Sequence, residues 1–244
     1  MGKLFSTYKK KFMGRKPDQK VLNPSVAKYL HAMEKIDTAI QLEEALYVIF
    51  DTELTGLNPK KDSIISIGAV KMFGSKIDLM NTYYRVVEPK SLLTKQSVVI
   101  HGITPSEASA CPTIDVILPE FLDFCGNGII VGHFVAIDLA FINREMHALF
   151  GVSLRNPAVD THMLYRWIRE KEEQVCAFHA GLPEDMDLLN LAKRYSISVS
   201  EAHNALNDAF VTAQLFQRFI TTLTHFEIHT MKDLLRIGQP RNIE

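Results

Sequence analysis

Four acidic residues and one histidine lie at the ends of apolar or helical segments, and these positions constrain the chain more than its composition does. Asp51 and Glu53 close the apolar run LYVIF, and Asp138 follows a second apolar run, IIVGHF, where a helical pattern begins. His203 and Asp208 stand at the start of the last long helical pattern. Side chains at the ends of neighbouring strands and at helix starts can point into one cleft.

Length and composition allow one sizeable α/β domain with an appendage, because 244 residues can bury a substantial core. No apolar run approaches the roughly 20 residues of a membrane span, and the N-terminus is too basic for a secretory signal. The three cysteines, Cys111, Cys125 and Cys176, lack CxxC spacing. This spacing argues against a disulfide framework or a zinc site and favours a reducing compartment, for which the cytoplasm is our expectation.

The first 45 residues form an extension with two parts. Residues 1–20 contain seven basic residues and one acid, whereas the rest of the chain contains 20 basic and 27 acidic residues, a net charge of −7. This basic arm is either a solvated tail or a segment that contacts nucleic acid, a partner protein or, through its myristoylation-like start Met1–Ser6, a membrane. Apolar residues at helical spacing from Val26 to Ile40 then predict an amphipathic helix that packs on the main domain or on a partner.

The main domain, residues 46–222, combines strand-like and helical patterns. Its first three apolar runs, LYVIFD, SIISIGAVKMF and NTYYRVVEP, are joined by short turn-rich links and predict an antiparallel meander. Further strands are predicted at 129–134 and 158–159, with helices at 103–125, 136–150, 161–174, 187–196 and 204–223 and a loop at 176–186. The pattern predicts an α/β fold with a mixed sheet flanked by helices. Residues 223–244 are expected to form a C-terminal tail with a short helix.

The spacing of the acidic residues indicates a metal site. Asp51 and Glu53 are two residues apart, so strand alternation sends both side chains to one face. Two carboxylates this close repel each other, and they remain ionised most easily when a cation lies between them. Asp138 lies near a helix N-terminus, where the helix dipole favours an anion. With Asp208, these residues supply four hard oxygen ligands for divalent cations.

The five-residue offset between His203 and Asp208 places them on different structures. Within one regular helix the two side chains would point well away from each other, so we expect His203 on a loop and Asp208 about one turn inside the helix. Ser198 and Ser200 provide turn or N-cap residues ahead of that helix. An imidazole can take a proton from a metal-activated water, so the five residues together indicate metal-dependent phosphodiester hydrolysis. Taken singly, each residue is equally well explained as a turn former, a helix cap or a surface histidine.

Three segments carry the five residues in a recognisable pattern: Asp-Thr-Glu-x-Thr-Gly-Leu at 51–57, Gly-His-x-x-x-x-Asp at 132–138 and His-x-Ala-Leu-x-Asp-Ala at 203–209. The pattern resembles the motifs of the DEDDh exonuclease superfamily, which includes the epsilon subunit of DNA polymerase III, ribonuclease T and oligoribonuclease. The resemblance covers about residues 46–222. It implies a ribonuclease H-like fold with a five-stranded mixed sheet flanked by helices. It also implies two Mg²⁺ or Mn²⁺ ions and hydrolysis from the 3′ end that releases nucleoside 5′-monophosphates.

The resemblance also implies roles for individual residues. Asn204 stands where the tyrosine subclass of the superfamily carries Tyr, so the chain resembles the histidine subclass. Asp160-Thr161 resembles a pair that is structural rather than catalytic. The implied metal ligands are Asp51, Glu53, Asp138 and Asp208, with His203 as general base. The implied substrate-binding residues are Leu54, Thr55, Gly56 and Leu57 beside the terminal nucleotide, and His101 and Ile103 in the run Val99–Thr104.

Three residues depart from the superfamily pattern. Leu54 replaces the usual Thr, Phe134 the usual Asn and Ile137 a frequent Phe. Phe134 removes an amide that would hydrogen-bond locally, so we count it among the substrate-binding residues and expect it to affect local geometry or the choice of strand. The five residues with a chemical role are all intact.

The leading interpretation is a metal-dependent 3′–5′ exonuclease acting on single-stranded nucleic acid, with DNA favoured. Its expected partners are a nucleic acid 3′ end and a DNA polymerase or repair protein, in replication and proofreading. An exoribonuclease of the same family is the first alternative, because contacts to the 2′-position decide between DNA and RNA. A polymerase-associated binding module with weak activity is a second, but it would have no physical reason to keep four mutually repelling carboxylates.

Overall fold

One mixed five-stranded sheet forms the centre of the molecule. The computed structural model describes residues 23–175, 187–200 and 203–241, so the basic arm and the predicted loop at 176–186 lie outside the described residues. The strands are β1 (Leu46–Leu54), β2 (Ile64–Phe73), β3 (Lys76–Val86), β4 (Ile129–Gly132) and β5 (Ala158–Asp160). Helices cover both faces of this sheet, and the predicted fold class is confirmed.

The helices follow the predicted order with local differences. They are α1 (Pro24–Ala32), α2 (Lys95–His101), α3 (Pro105–Ser109), α4 (Ile114–Cys125), α5 (Ala136–Phe150), α6 (Thr161–Val175), α7 (Leu188–Arg194), α8 (Ala205–His225) and α9 (Met231–Ile237). The helical stretch predicted at 103–125 is two helices, and α2 was not predicted. Gly151 ends α5 in the left-handed conformation (φ 69°), as expected for a C-terminal glycine. Among the helices of the described ranges, none combines the length and apolar character needed to cross a membrane.

The strand order is β3-β2-β1-β4-β5. The first three strands pair antiparallel and confirm the predicted meander, although β3 begins earlier than expected, at Lys76. Strands β4 and β5 run parallel to β1, with Ile49 opposite Val131 and Gly132 opposite Asp160. Because parallel strands end at the same edge, the segments that follow β1, β4 and β5 meet there.

Two apolar layers enclose the sheet. On one face, β1 packs on α8, where the Tyr47 and Phe216 rings lie 4.9 Å apart. On the other face, Phe50 packs on Phe121 of α4 at 5.5 Å. Since both faces are covered, β1 is apolar at successive positions rather than at alternate ones, as buried parallel strands are.

The N-terminal helix is shorter than predicted. Its N-cap residue Asn23 accepts a hydrogen bond from the Ser25 N–H at 2.9 Å, but α1 ends at Ala32. A 3₁₀ turn covers 33–35, and Ile36 is extended. Tyr29 is buried, and its hydroxyl donates to Asn156 Oδ1 at 2.7 Å. The end of the predicted stripe, Ile40, packs against the opposite apolar layer. The apolar stripe therefore packs on the main domain, and it divides between the two faces of the sheet.

The C-terminal segment also packs into the core rather than extending as a tail. Met231 and Leu234 of α9 are fully buried in the layer that contains α6 and α8. The Met231 N–H donates to the Ile40 carbonyl at 2.9 Å, which joins the two ends of the described chain. Domain boundaries at 45 and 222 remain a prediction, and the flanking segments on both sides share the core of 46–222.

We expect Leu234→Ala to lower the free energy of unfolding by about 2–5 kcal/mol, because it leaves a cavity in a closed apolar layer. Leu235→Ala, on the partly exposed side of the same helix, is the matched control and should cost less. Urea unfolding measures both. Equal and small effects would mean that α9 does not stabilise the core.

Candidate active site

Three carboxylates meet where β1 and α8 approach each other. Oxygen atoms of Asp51, Glu53 and Asp208 all lie within 4.8 Å of one another. Asp51 and Glu53 come from alternate positions of β1, as strand parity predicted, and Asp208 lies in the first turn of α8. Carboxylate oxygens at this spacing are ligands for hard cations, and the cluster fits a divalent-metal site.

Asp138 lies beside this cluster, outside the group of three. It is buried in the first turn of α5, and its Oδ1 accepts hydrogen bonds from the Thr52 N–H (3.1 Å) and the Thr52 hydroxyl (2.5 Å). Thr52 stands between Asp51 and Glu53 in β1. The two bonds therefore fix the start of α5 against the strand that carries the other carboxylates.

Burial and mutual repulsion both disfavour the charged forms of these groups. Burial is the largest cause of the raised pKa of Asp51, and the charges of Asp138, Asp208 and Glu53 raise it further. The pKa of Glu53 rises to about 7, mainly through burial and then through Asp208 and Asp138. The pKa of Asp138 also rises to about 7, mainly through burial, although its bonds to Thr52 oppose the shift.

Asp208 adds a further sign of a ligand site. Its Oδ1 is buried and has no hydrogen-bond partner among the described residues. A buried carboxylate oxygen without a partner is costly. A bound cation would satisfy this oxygen and relieve the repulsion that acts on Asp51 and Glu53.

His203 lies on a loop directly before α8, as its offset from Asp208 predicted. Its φ of 61° is in the left-handed region, and its N–H donates to Asp208 Oδ2 at 3.2 Å. The histidine is exposed, so its imidazole borders solvent beside the carboxylates. This contact fixes the backbone of His203 to a residue of the cluster.

The cap of α8 differs from the prediction. Asn204, rather than Ser198 or Ser200, is the N-cap, and its Oδ1 accepts hydrogen bonds from the N–H groups of Leu206 (3.1 Å) and Asn207 (3.2 Å). The cap therefore lies immediately after His203 and one helical turn before Asp208.

Gly68 is a functional position that the sequence analysis missed. It lies opposite Asp51 on β2, and a Cβ atom at this position would come within 2.2 Å of the backbone of Ala205 and Leu206. Only glycine therefore lets the start of α8 lie directly on the sheet with Asp208 close to Asp51. A glycine inside the strand-like run SIISIGAVKMF was the available signal, because such a glycine often marks a close backbone approach.

The loop after β1 is held closed by hydrogen bonds. The buried Thr55 hydroxyl accepts from the Ser63 N–H at 2.9 Å, and Asp62 Oδ2 accepts from the Asn58 N–H at 2.8 Å. A Cβ atom on Gly56 would lie 2.6 Å from Asp62 Oδ2. Thr55 and Gly56 thus shape the loop, because the Thr55 hydroxyl is engaged within it and no space is left for a side chain at Gly56.

An ion cluster around the buried Glu145 ties this loop to α5. Arg144 Nη1 donates to the carbonyl of Asp62 at 2.6 Å and also to the carbonyl of Pro59. The buried Glu145 accepts from Arg144 Nη2 at 2.6 Å and from Lys90 Nζ at 2.7 Å. Two cations share the one buried carboxylate, so Glu145 is neutralised and the cluster acts as a clamp on the loop.

Leu54 and Leu57 have different surroundings. Leu54 is half-buried and packs against the layer around Phe50, whereas 74% of Leu57 is exposed. An apolar side chain this exposed, four residues after Glu53, is available to contact a base. Of the four predicted residues of this loop, Leu57 therefore offers most side-chain surface to a ligand.

The predicted substrate-side residues His101 and Ile103 are both buried. His101 Nδ1 accepts from the Ile103 N–H at 3.1 Å, its Nε2 has no partner among the described residues, and burial lowers its pKa. Ile103 packs against Ile65 in a small separate cluster, so its side chain serves packing. The exposed apolar side chains of this run are Val99 (84%) and Ile100 (45%), which the sequence analysis did not assign.

Asp160 and Thr161 connect the turns after β4 and β5. Asp160 Oδ1 accepts from the N–H groups of Phe134 (3.0 Å) and His162 (2.9 Å). The Thr161 hydroxyl forms a hydrogen bond with His133 Nδ1 at 2.9 Å. These contacts lie within the scaffold and agree with the structural role expected for the pair.

Phe134 adopts an unusual conformation at the same edge. Its φ of 54° is in the left-handed region, which is rare for a bulky residue. Its ring lies 4.7 Å from the His133 ring and 4.3 Å from the His162 ring. Three rings therefore stand together beside the ends of β4 and β5.

The family model for RNase T-type exonucleases, described as "Exonuclease", matches residues 48–216. The chain belongs to this exonuclease family. Its motifs place it in the DEDDh superfamily, and a nuclease is the enzyme class that the match supports.

Relatives of this exonuclease include subunits and domains of bacterial replicases. It is 31% identical over 182 residues to the DNA polymerase III subunit epsilon of Aquifex aeolicus, covering 75% of this chain and 84% of that protein. It is 35% identical over 191 residues to the PolC-type DNA polymerase III of Clostridium perfringens, covering 77% of this chain. The match spans only 12% of that polymerase, so it concerns one segment of a much longer protein.

A solved structure supports the fold independently. Escherichia coli exonuclease I, in complex with a dT13 oligonucleotide, matches 75% of this chain and 43% of its own, with a TM-score of 0.62 and 18% identity. At this identity the likeness establishes the fold alone, and it agrees with the mixed sheet described above.

The raised pKa values predict how metal and pH together affect stability. Glu53 and Asp138 have pKa values of about 7 in the folded protein, against about 4 in an unfolded chain. Between these pH values the folded state binds more protons, so their contribution to stability is complete below about pH 4 and is lost as the pH rises through about 7. Metal replaces the protons, so stabilisation by Mn²⁺ should increase from about pH 5 to pH 8.

Thermal unfolding in EDTA and in Mn²⁺ across this pH range measures the effect. The control Glu53→Gln/Asp208→Asn removes two of the repelling charges, so both the pH dependence and the response to Mn²⁺ should flatten. Stabilisation by Mn²⁺ that does not change with pH would contradict the prediction.

We expect Gly68→Ala to weaken Mn²⁺ binding by about 10–100-fold, because the added Cβ displaces α8 and with it Asp208. Gly126→Ala is the control, since Gly126 has a positive φ (50°) but open space around its Cβ position. That variant should lower stability by about 1–2 kcal/mol through backbone strain and leave Mn²⁺ affinity unchanged. Calorimetric titration with Mn²⁺ compares the two, and equal affinities would show that Gly68 does not position the site.

Proposed function

We propose that this chain is a metal-dependent 3′–5′ exonuclease that releases nucleoside 5′-monophosphates from single-stranded nucleic acid, with DNA preferred. The observation that carries the proposal is the cluster of Asp51, Glu53 and Asp208 within 4.8 Å, beside Asp138, in a chain of the exonuclease family. The raised pKa values of Asp51 and Glu53 support a cation at this place, because repulsion is among their causes.

The four carboxylates are the proposed metal ligands. Asp51, Glu53, Asp138 and Asp208 would hold two divalent cations, Mg²⁺ or Mn²⁺, which lower the pKa of bound water and neutralise charge on the phosphate when they are present. The chain's own contribution is to hold these oxygens in place, since the Thr52 bonds fix Asp138 and the contact with Gly68 fixes the helix that carries Asp208.

His203 is the proposed general base. Its exposed imidazole can accept the proton of the attacking water and release it to solvent, while its N–H to Asp208 keeps the residue beside the ligands. The bond from water oxygen to phosphorus forms, and the bond from phosphorus to the 3′-oxygen of the preceding nucleotide breaks. That 3′-oxygen takes a proton, and the terminal nucleotide leaves as its 5′-monophosphate.

The proposed substrate contacts follow from which side chains near the carboxylates are exposed. Leu57 offers an apolar side chain to the terminal base, Thr55 and Gly56 offer backbone groups, and Phe134 offers a ring at the same edge of the sheet. A terminal nucleotide gripped in this way must be unpaired, which favours single strands. We propose that the remaining predicted residues support these contacts through packing and do not touch the substrate, because two are buried and one is half-buried: His101, Ile103 and Leu54.

The relatives extend the proposal to the cellular process in which the chain takes part. Their names, DNA polymerase III subunit epsilon and PolC-type DNA polymerase III, support DNA as substrate and a DNA polymerase as partner, in proofreading during replication. A cytoplasmic location is part of the same proposal and agrees with the free thiols of Cys111 and Cys125.

The proposal is tested with 5′-labelled dT20 and rU20 in Mg²⁺ or Mn²⁺. We expect a ladder that shortens from the 3′ end, with dT20 degraded faster. Asp51→Asn and Asp208→Asn should abolish turnover and weaken Mn²⁺ binding, whereas His203→Ala should cost about two to four decades in rate with Mn²⁺ binding retained. Asp78→Asn, at a partly exposed acid on β3, is the control and should keep the rate within about twofold.

Each other result has a distinct meaning. Faster degradation of rU20 would make the protein an exoribonuclease. Binding of dT20 without release of mononucleotides, with either metal present, would leave a binding module and overturn the enzyme. Full activity in Asp208→Asn would refute the ligand assignment.

A further inference from the structure

A second concave surface lies between α6 and the C-terminal segment. This groove encloses about 470 Å³, and cations dominate its lining. Its charged and aromatic lining residues are Arg166, Lys171, Arg236, Arg241, Trp167 and Glu170. Four cations thus face one anion on a chain whose residues 21–244 have a net charge of −7.

The cations of this groove are only weakly neutralised. Arg236 lies 3.4 Å from Asp233, an exposed pair of the kind that contributes little. In the part of the chain that the structure describes, Arg166 and Arg241 form no ion pair. Lys171 Nζ lies 5.6 Å from the centre of the Trp167 ring, and that ring is braced edge-on by Phe226 at 5.8 Å. Like charges held this close together favour an anionic ligand.

The position of the groove relates it to the carboxylate cluster. Helix α6 begins directly after Asp160, at the edge of the sheet where β1, β4 and β5 end. His162, in its first turn, lies 4.3 Å from the Phe134 ring, and Arg166 follows one turn later, about 6 Å along the helix axis. The charge of Arg166 reaches His162, whose pKa is lowered by burial and, to a lesser extent, by this arginine. The groove therefore starts next to the rings of His133, Phe134 and His162, and it leads away from the end of the sheet that carries the carboxylates.

We propose that this groove binds the phosphate backbone of the single strand on the 5′ side of the nucleotide being removed. The proposal rests on the exonuclease function proposed above and adds the path of the uncleaved strand. Three of the four cations are arginines, whose planar guanidinium groups bind phosphate oxygens in pairs. Trp167 offers an aromatic face on which a base can stack without regard to sequence.

The test compares strands that do and do not reach the groove. Fluorescence anisotropy with labelled dT20 and dT4 gives a Kd for each, in an Asp51→Asn/Asp208→Asn background that removes two of the repelling charges and should hydrolyse nothing. Arg166→Glu and Arg236→Glu should each raise the Kd for dT20 by about tenfold or more and reduce the salt dependence of binding by about one phosphate contact. The Kd for dT4 should change far less, because a tetranucleotide is held at the catalytic edge.

Lys76→Glu is the matched control. Lys76 is exposed at the opposite end of the strands from the carboxylates, near the residue where β1 begins. The substitution changes the net charge by the same amount as each arginine variant. A similar loss of dT20 affinity in this control would show a general charge effect and overturn the groove. Unchanged dT20 binding in both arginine variants would overturn it as well and leave an acidic protein partner as the occupant. Equal losses for dT20 and dT4 would also overturn the proposed path.

Binding by the inactive background is independent of catalysis, so the two proposals can fail separately. Wild-type protein that binds dT20 through the groove but releases no mononucleotides with Mn²⁺ would retain the groove and lose the exonuclease. If the wild type degrades dT4 and dT20, but the arginine variants bind dT20 as tightly as the wild type does, the exonuclease is retained and the groove is lost.

Discussion

Repulsion between Asp51, Glu53 and Asp208 is the interaction on which the rest of the structure depends. Three carboxylates within 4.8 Å, partly buried, would separate if the elements that carry them could move apart. β1 cannot shift, because it pairs with β2 on one side and β4 on the other. α8 cannot withdraw easily, because it lies on Gly68 and packs along the sheet with a run of fully buried residues. The fold therefore holds an arrangement of charge that protonation or a bound cation would stabilise.

The remaining contacts keep this edge of the sheet rigid. Asp160 joins the turn after β4 to the start of α6, and Arg144 joins the loop after β1 to α5. Both use buried or half-buried polar groups whose partners are in place, so their main effect is to fix geometry. The proposed metal site and substrate loop are set before binding and would therefore lose less free energy to ordering when a ligand arrives.

Local patterns made much of this predictable, and long-range contacts account for the rest. Strand parity placed Asp51 and Glu53 on one face, and the offset to Asp208 placed His203 on a loop, because both depend only on neighbouring residues. No local stop signal marks the end of α1 at Ala32. The helix ends there because the apolar residues from Val26 to Ile40 divide between the two apolar layers of the core. The role of Gly68 depends on a helix that begins well over a hundred residues later. The sequence therefore indicated that another backbone segment lies close to Gly68, but not which segment. The burial of α9 likewise depends on the layer it joins.

Phe134 shows how a departure from the family pattern can leave the carboxylate cluster intact. A left-handed residue other than glycine costs about 1–2 kcal/mol, and Asn is tolerated there better than Phe. Two ring contacts, to His133 and His162, are each worth about 0.5–1.5 kcal/mol and can offset that cost. Asp160 also accepts the Phe134 N–H, which fixes the same backbone turn without any help from an amide side chain. The replacement therefore exchanges a local hydrogen-bonding group for an aromatic surface. The replacement leaves the support of Asp138 unchanged, because the start of α5 is held by Thr52 rather than by residue 134.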